Sequence, residues 1–142
     1  MTLTRLARAH LRRSARFALV GASGVVVNVV VLYLLAHRLA VPKVAAAALA
    51  TEAATLSNFT LHDRWTYADC RPDRSLPARL LRFHASTVLG AGLALSVFTG
   101  LYFELSLDYL LADLAGIGTA AGWYYISNGR FIWARPIVGA PP

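Results

Sequence analysis

Two sets of side chains in this sequence could do chemistry. The first is four arginines, Arg16, Arg64, Arg82 and Arg130, set among the aromatic residues Trp65, Tyr67, Phe131 and Trp133. A guanidinium presents a planar fork of N–H donors that matches an oxyanion bidentately, so four of them at headgroup depth could hold a phosphate. The same residues also fit a belt of interfacial aromatics with anchoring cations. The second set is Asn28 and Glu52, both embedded in long apolar runs. A carboxyl group near mid-bilayer costs about 2.5 to 3.5 kcal/mol to insert, and such groups usually face a helix-lined interior or a wet cavity. Asn28 and Glu52 could hydrogen-bond to each other and serve a polar ligand, or act as a structural clasp between two helices. Asp108 and Asp113 could bind a cation or cap a helix.

Other chemistries lack their residues. His10, His37, His62 and His84 are scattered, and Cys70 is the single cysteine, so neither a disulfide nor a cysteine metal site is expected. There is no metal-ligand spacing, no glycine-rich phosphate loop and no nucleophile–base pair. No catalytic residue, metal or cofactor is therefore assigned.

The elements that carry these residues follow from composition. Of 142 residues, 57% are hydrophobic and 15% charged, and mean hydropathy is +0.53. A soluble domain carries about 25% charged residues, so a soluble enzyme is excluded. Four apolar stretches of about 20 residues stand out at 17–37, 44–61, 83–103 and 109–129. None shows the period-two alternation of a lipid-facing barrel strand. The expectation is an all-α integral membrane protein with four transmembrane helices. The first stretch is longer than a signal-peptide core and lacks a small-residue cleavage site, so it reads as retained.

Charge gives the orientation. Net charge is +7, and twelve of the fourteen basic residues fall in the arm, the middle loop and the tail, against Arg38 and Lys43 on the other side. The positive-inside rule then places both termini and the loop 63–82 in the cytoplasm, in a multi-pass protein of the cytoplasmic membrane. That distribution reads as topology rather than as a nucleic-acid surface. Residues 1–16 form a basic arm, either a short interfacial helix or a disordered tail. Residues 17–135 form a single four-helix domain, and 136–142 a tail.

A shift of 66 residues superimposes the two halves without a gap. Only nine of the 52 aligned positions in 16–67 are identical, yet Arg16-Phe17 falls on Arg82-Phe83, Gly24 on Gly90, and Arg64-Trp65-Thr66-Tyr67 on Arg130-Phe131-Ile132-Trp133. Each half has two spans, so the repeats are expected to be parallel, about an axis along the membrane normal. The shift carries Asn28 to Ala94 and Glu52 to Gly118, which predicts one polar site rather than two. Small-residue faces at Ala46/Ala50/Ala54, Ser86/Gly90/Ala94 and Gly118/Gly122 are expected to pack the helices into a bundle.

On these residues the chain resembles the GtrA-like family of small four-span membrane proteins. The resemblance runs from Arg16-Phe17 and Val20-Gly21 through Asn28 to Glu52-x5-Asn58-Phe59-x3-Asp63-Arg64-Trp65-Thr66-Tyr67. It resumes at Arg82-Phe83 and closes on Arg130-Phe131-Ile132-Trp133. It implies a role in cell-surface polysaccharide or glycolipid synthesis, with a polyprenyl-phosphate-linked sugar as the lipid moved across the membrane. It also implies that Arg64, Arg130, Asn58 and Trp65 occupy family positions, which adds Asn58 to the interior polar set. Tyr124-Tyr125 stand where the family often repeats Asn-Phe, so Asn58 has no counterpart. Alternatives from other classes are a scaffold that recruits a polyprenyl-phosphate glycosyltransferase through the loop 63–82, and a proton-coupled exporter of small cations. A homodimer is expected, because four helices alone give little width to shield a sugar.

Overall fold

The computed structural model describes residues 3–70 and 74–133, with side chains from residue 10 onward. The tail 136–142, Arg71 and Arg135 lie outside the described residues. Four helices make up the described chain, and no strand occurs among those residues: α1 (Leu3–Tyr33), α2 (Lys43–Leu61), α3 (Leu76–Thr99) and α4 (Tyr109–Ser127). Residues 3–16 of the basic arm are helical and continuous with the first apolar stretch. The segments His10–Arg38 and Leu76–Glu104, 29 residues each, are long and apolar enough to cross a membrane. α2 and α4 have 19 residues apiece, about 28 Å at 1.5 Å per residue, close to the thickness of a hydrocarbon core.

The chain divides into two compact units, Met1–Asp69 and Cys70–Pro142. Each is a helical hairpin, and the 66-residue register reappears in its backbone. In the first unit α1 passes into a π-helical turn, Leu34–Arg38, and α2 into another, His62–Thr66; in the second the corresponding turns are Gly100–Glu104 and Asn128–Ile132. The wider π turn is closed by Leu39 N donating to Leu34 O at 3.1 Å, and by Leu105 N donating to Gly100 O at 3.3 Å. Ala40 and Ser106, again 66 apart, both have φ of 52°. A left-handed residue reverses the chain there without a long loop, at a steric cost to any side chain bearing Cβ. Pro42 then precedes α2, where its missing N–H costs nothing. At the matching place Asp108 accepts from Leu110 N at 2.9 Å and from Leu111 N at 3.4 Å, capping α4.

Small residues let the two helices of each hairpin approach. Ala46, Ala50 and Ala54 form the buried stripe of α2, and Ala112, Gly116 and Ala120 that of α4. The stripe on α2 is the one the sequence indicates. On α4 the expected pair Gly118/Gly122 is exposed with nothing against it, and Gly116 takes its place because it faces α3: a Cβ there would stand 2.7 Å from Ala94 O. Buried hydroxyls tie the second hairpin further, with Ser86 Oγ 2.6 Å from Ser127 Oγ and Trp123 Nε1 donating to Ser86 O at 3.0 Å.

Candidate functional site

Each hairpin closes on an arginine held against an exposed helix end. A helix terminus leaves carbonyls without intrahelical partners and carries partial negative charge, so a guanidinium is favoured there. In the first unit Arg16 Nη1 donates to Trp65 O at 3.0 Å, and its guanidinium lies 5.3 Å from the centre of the Trp65 ring. In the second, Arg82 Nη1 donates to Phe131 O at 3.2 Å. Trp65 and Phe131 are repeat mates, so one contact is built twice. Arg64 and Arg130, the residues immediately before those carbonyls, are both exposed. The four arginines are therefore brought together in pairs, Arg16 beside the Arg64-Trp65 step and Arg82 beside the Arg130-Phe131 step.

The aromatic residues split by depth. Tyr67 and Trp133 are buried at 1% exposure, whereas Trp65 is 40% exposed. Trp133 packs edge-on against Phe83, with ring centres 5.9 Å apart. Tyr67 lies under the Arg13 guanidinium at 5.5 Å, and Arg13 Nη2 pairs with Asp69 Oδ2 at 2.8 Å. Beneath Tyr67 sits His62, just past the end of the second apolar stretch. It is stacked on Phe17 at 5.0 Å and its Nδ1 lies 3.1 Å from Thr66 Oγ1. Burial pushes its imidazole down to about 4, so the ring is neutral at ordinary pH.

The interior polar residues all lie on α1 and α2. Asn28 Nδ2 donates to Thr51 Oγ1 at 3.3 Å, so the partner across the helices is Thr51 and not Glu52, the next residue along, which is exposed. One turn back on α1, Gly24 makes room for the Asn58 side chain, where a Cβ would collide with the amide. Asn58 Oδ1 is buried with no hydrogen-bond partner among the described residues. In the second hairpin Tyr124 lies over Gly90 in the same way, and its hydroxyl donates to Thr87 O at 3.1 Å. The same slot is thus polar and unsatisfied in one hairpin, and filled and satisfied in the other.

Asp113 is exposed and lines an open groove of about 250 Å³ with Ala94, Leu95, Phe98, Gly116 and Ile117. No group of three metal-ligating side chains occurs among the described residues. Sequence reasoning missed Arg74, which donates to Phe131 O at 3.0 Å. It also missed Thr51 as the partner of Asn28 and the buried place of His62. The 66-residue shift contained a signal for Arg74, since it falls on Arg8.

The model of the family described as the GtrA/DPMS transmembrane domain matches residues 16–133, from Arg16 to Trp133. The chain belongs to the GtrA/DPMS transmembrane-domain family. It is accordingly a membrane protein, and the paired arginine–carbonyl contacts and the Gly24–Asn58 slot are features of this GtrA/DPMS domain. Among curated proteins it is 38% identical over 125 residues to a dolichol-phosphate mannosyltransferase of Pyrococcus furiosus (strain ATCC 43587 / DSM 3638 / JCM 8422 / Vc1). That match takes in 88% of this chain and 35% of the relative. The GtrA/DPMS domain described here thus spans about a third of the length of the curated relative it matches.

Proposed function

We propose that the protein translocates a polyprenyl-phosphate-linked sugar across the cytoplasmic membrane for cell-surface polysaccharide or glycolipid synthesis, and that it is not itself an enzyme. The observation that carries this reading is the duplicated contact of Arg16 with Trp65 O and Arg82 with Phe131 O, in a domain whose relative is named for dolichol phosphate. A phosphate cannot enter hydrocarbon without neutralising partners. Arg16, Arg64, Arg82 and Arg130 supply them at one membrane boundary in this reading, with both termini and the loop 63–82 on the cytoplasmic side. Trp65, Tyr67 and Trp133 fix the depth of that boundary. Asn28, Asn58 and Glu52 then offer donors and acceptors to sugar hydroxyls while the prenyl chain stays in lipid. A homodimer would widen the sheltered path.

The experiment is a flipping assay in proteoliposomes with a defined polyprenyl-phosphate sugar. Wild-type protein should move it faster than empty vesicles, and Glu52→Gln or Arg64→Ala should slow it. Wild-type vesicles no faster than empty ones overturn the reading.

A second reading is favoured by the relative itself, in which the matched region is a minor part of a protein named as a glycosyltransferase. There the domain is a membrane anchor that recruits such an enzyme through the loop 63–82. Co-purification of a glycosyltransferase that is lost on scrambling this loop supports it, and binding retained after scrambling counts against it.

A further inference from the structure

In the unit Cys70–Pro142 two guanidinium groups meet at one neutral acceptor. Arg74 Nη1 donates to Phe131 O at 3.0 Å, and Arg82 Nη1 donates to the same oxygen at 3.2 Å. The two nitrogens are therefore no more than 6.2 Å apart, the sum of those distances. Two like charges at such a separation repel, and a carbonyl with only a partial charge offsets little of that. Each guanidinium has five N–H donors, so most of the pair's donors are not spent on Phe131 O. Neither arginine forms a salt bridge with a carboxylate among the described residues. Arg130, adjacent to Phe131, adds a third positive charge and is exposed. Within the unit Cys70–Pro142 the sequence carries one acid near this end, Asp73, against Arg71, Arg74, Arg79, Arg82, Arg130 and Arg135.

The equivalent place in the first unit is built differently. Among the described side chains a single guanidinium, that of Arg16, reaches Trp65 O, and the Trp65 ring covers it. Arg13, nearby, is neutralised by Asp69 at 2.8 Å. In the second unit Phe131 stands in place of Trp65, and two guanidinium groups, those of Arg74 and Arg82, share the one carbonyl.

We propose that Arg74 and Arg82 form a two-arginine clamp for a phosphate oxyanion, with Arg130 beside it, and that the second hairpin rather than the first holds the anion of a phosphate-bearing ligand. A phosphodiester, as in a prenyl-phosphate-linked sugar, carries one negative charge and two non-bridging oxygens, and a monoester about two charges and three such oxygens, so either offers an acceptor to each of the two guanidinium groups. The inference rests on the rim reading above and sharpens it: Arg74 becomes a binding residue and the two hairpins become unequal. The phosphate could belong to a lipid headgroup or to a soluble molecule, and the recognition chemistry is the same.

The test uses the full chain in nanodiscs of neutral phosphatidylcholine, titrated by calorimetry with dodecyl phosphate and, separately, with inorganic phosphate. Arg74→Gln should weaken dodecyl phosphate at least about 10-fold, the loss expected for a charge-assisted hydrogen bond. Arg74→Lys should recover part of that, since charge is kept and the fork lost. Arg13→Gln, in the first hairpin, should leave the dissociation constant within about twofold. Arg74 precedes α3 and is exposed, so its variants keep the test valid even if Arg82→Gln fails to fold, which thermal melting reports. Tighter binding of dodecyl phosphate than of inorganic phosphate assigns the clamp to a lipid, and equal binding, lost in Arg74→Gln, assigns it to a soluble phosphate. Unchanged affinity in Arg74→Gln, or an equal loss in Arg13→Gln, overturns the proposal. Flipping is measured on the same proteins: binding through Arg74 without flipping sinks the translocation reading alone, and flipping with wild-type affinity in Arg74→Gln sinks the clamp alone.

Discussion

At the scale of single residues, His62 couples burial to proton binding. It is neutral when folded, with its pKa near 4, whereas an unfolded imidazole titrates near 6.5. As pH falls from about 6.5 toward 4 the unfolded chain gains a proton that the folded chain does not, so stability should drop across that window, by at most about 3 kcal/mol. Thermal melting in detergent between pH 7 and 4 checks this. His62→Asn, which copies the residue found at the repeat-related position Asn128, should remove that part of the slope. Arg16 bears on the same junction. Arg16→Ala removes one hydrogen bond to Trp65 O and one cation–π contact, so it should destabilise by about 1 to 2 kcal/mol, measured as a fall in melting temperature.

At the scale of elements, the hairpins turn on backbone strain and close packing. Ala40 and Ser106 sit at φ 52°, so Ala40→Gly and Ser106→Gly should each stabilise by about 1 kcal/mol. Gly116 faces a backbone oxygen that cannot move aside, and Gly116→Ala should cost about 1 to 3 kcal/mol and loosen α3 from α4. Chemical unfolding in mixed micelles reads both effects. Apolar stretches and the 66-residue shift made the helices legible in sequence, because span length and charge are set by composition alone. The Arg16–Trp65 and Arg82–Phe131 junctions were legible as a repeated motif, though not as side chain to carbonyl contacts. The stripe on α4 was not legible: Gly118/Gly122 and Ala112/Gly116/Ala120 have the same spacing, and only the rotation of the helix against α3 selects between them. Asn28 to Thr51 was missed for a similar reason, since adjacent residues on a helix point about 100° apart and depth alone does not choose between Thr51 and Glu52.

At the scale of the whole molecule, the grouping of twelve basic residues in the arm, the middle loop and the tail predicts a single topology. Cys70 is the native probe. A membrane-impermeant maleimide should label it in inside-out vesicles and not in right-side-out ones. Ser106→Cys, in a Cys70→Ser background, should behave in the opposite way, and labelling of both from one side contradicts the four-span topology. Within that topology the two hairpins share one backbone plan and differ in chemistry. The first carries Asn28, Glu52 and Asn58; the second carries Ala94, Gly118 and Tyr124 in their places and the doubled arginine contact at its end. In the proposed function the polar residues of the first hairpin serve the sugar and the arginines serve the phosphate of the lipid. The measurement that tests this most directly is the flipping rate of a polyprenyl-phosphate sugar in proteoliposomes holding the purified chain. The account predicts transport above that of empty vesicles, slowed by Arg64→Ala and by Glu52→Gln, and wild-type protein indistinguishable from empty vesicles would contradict it.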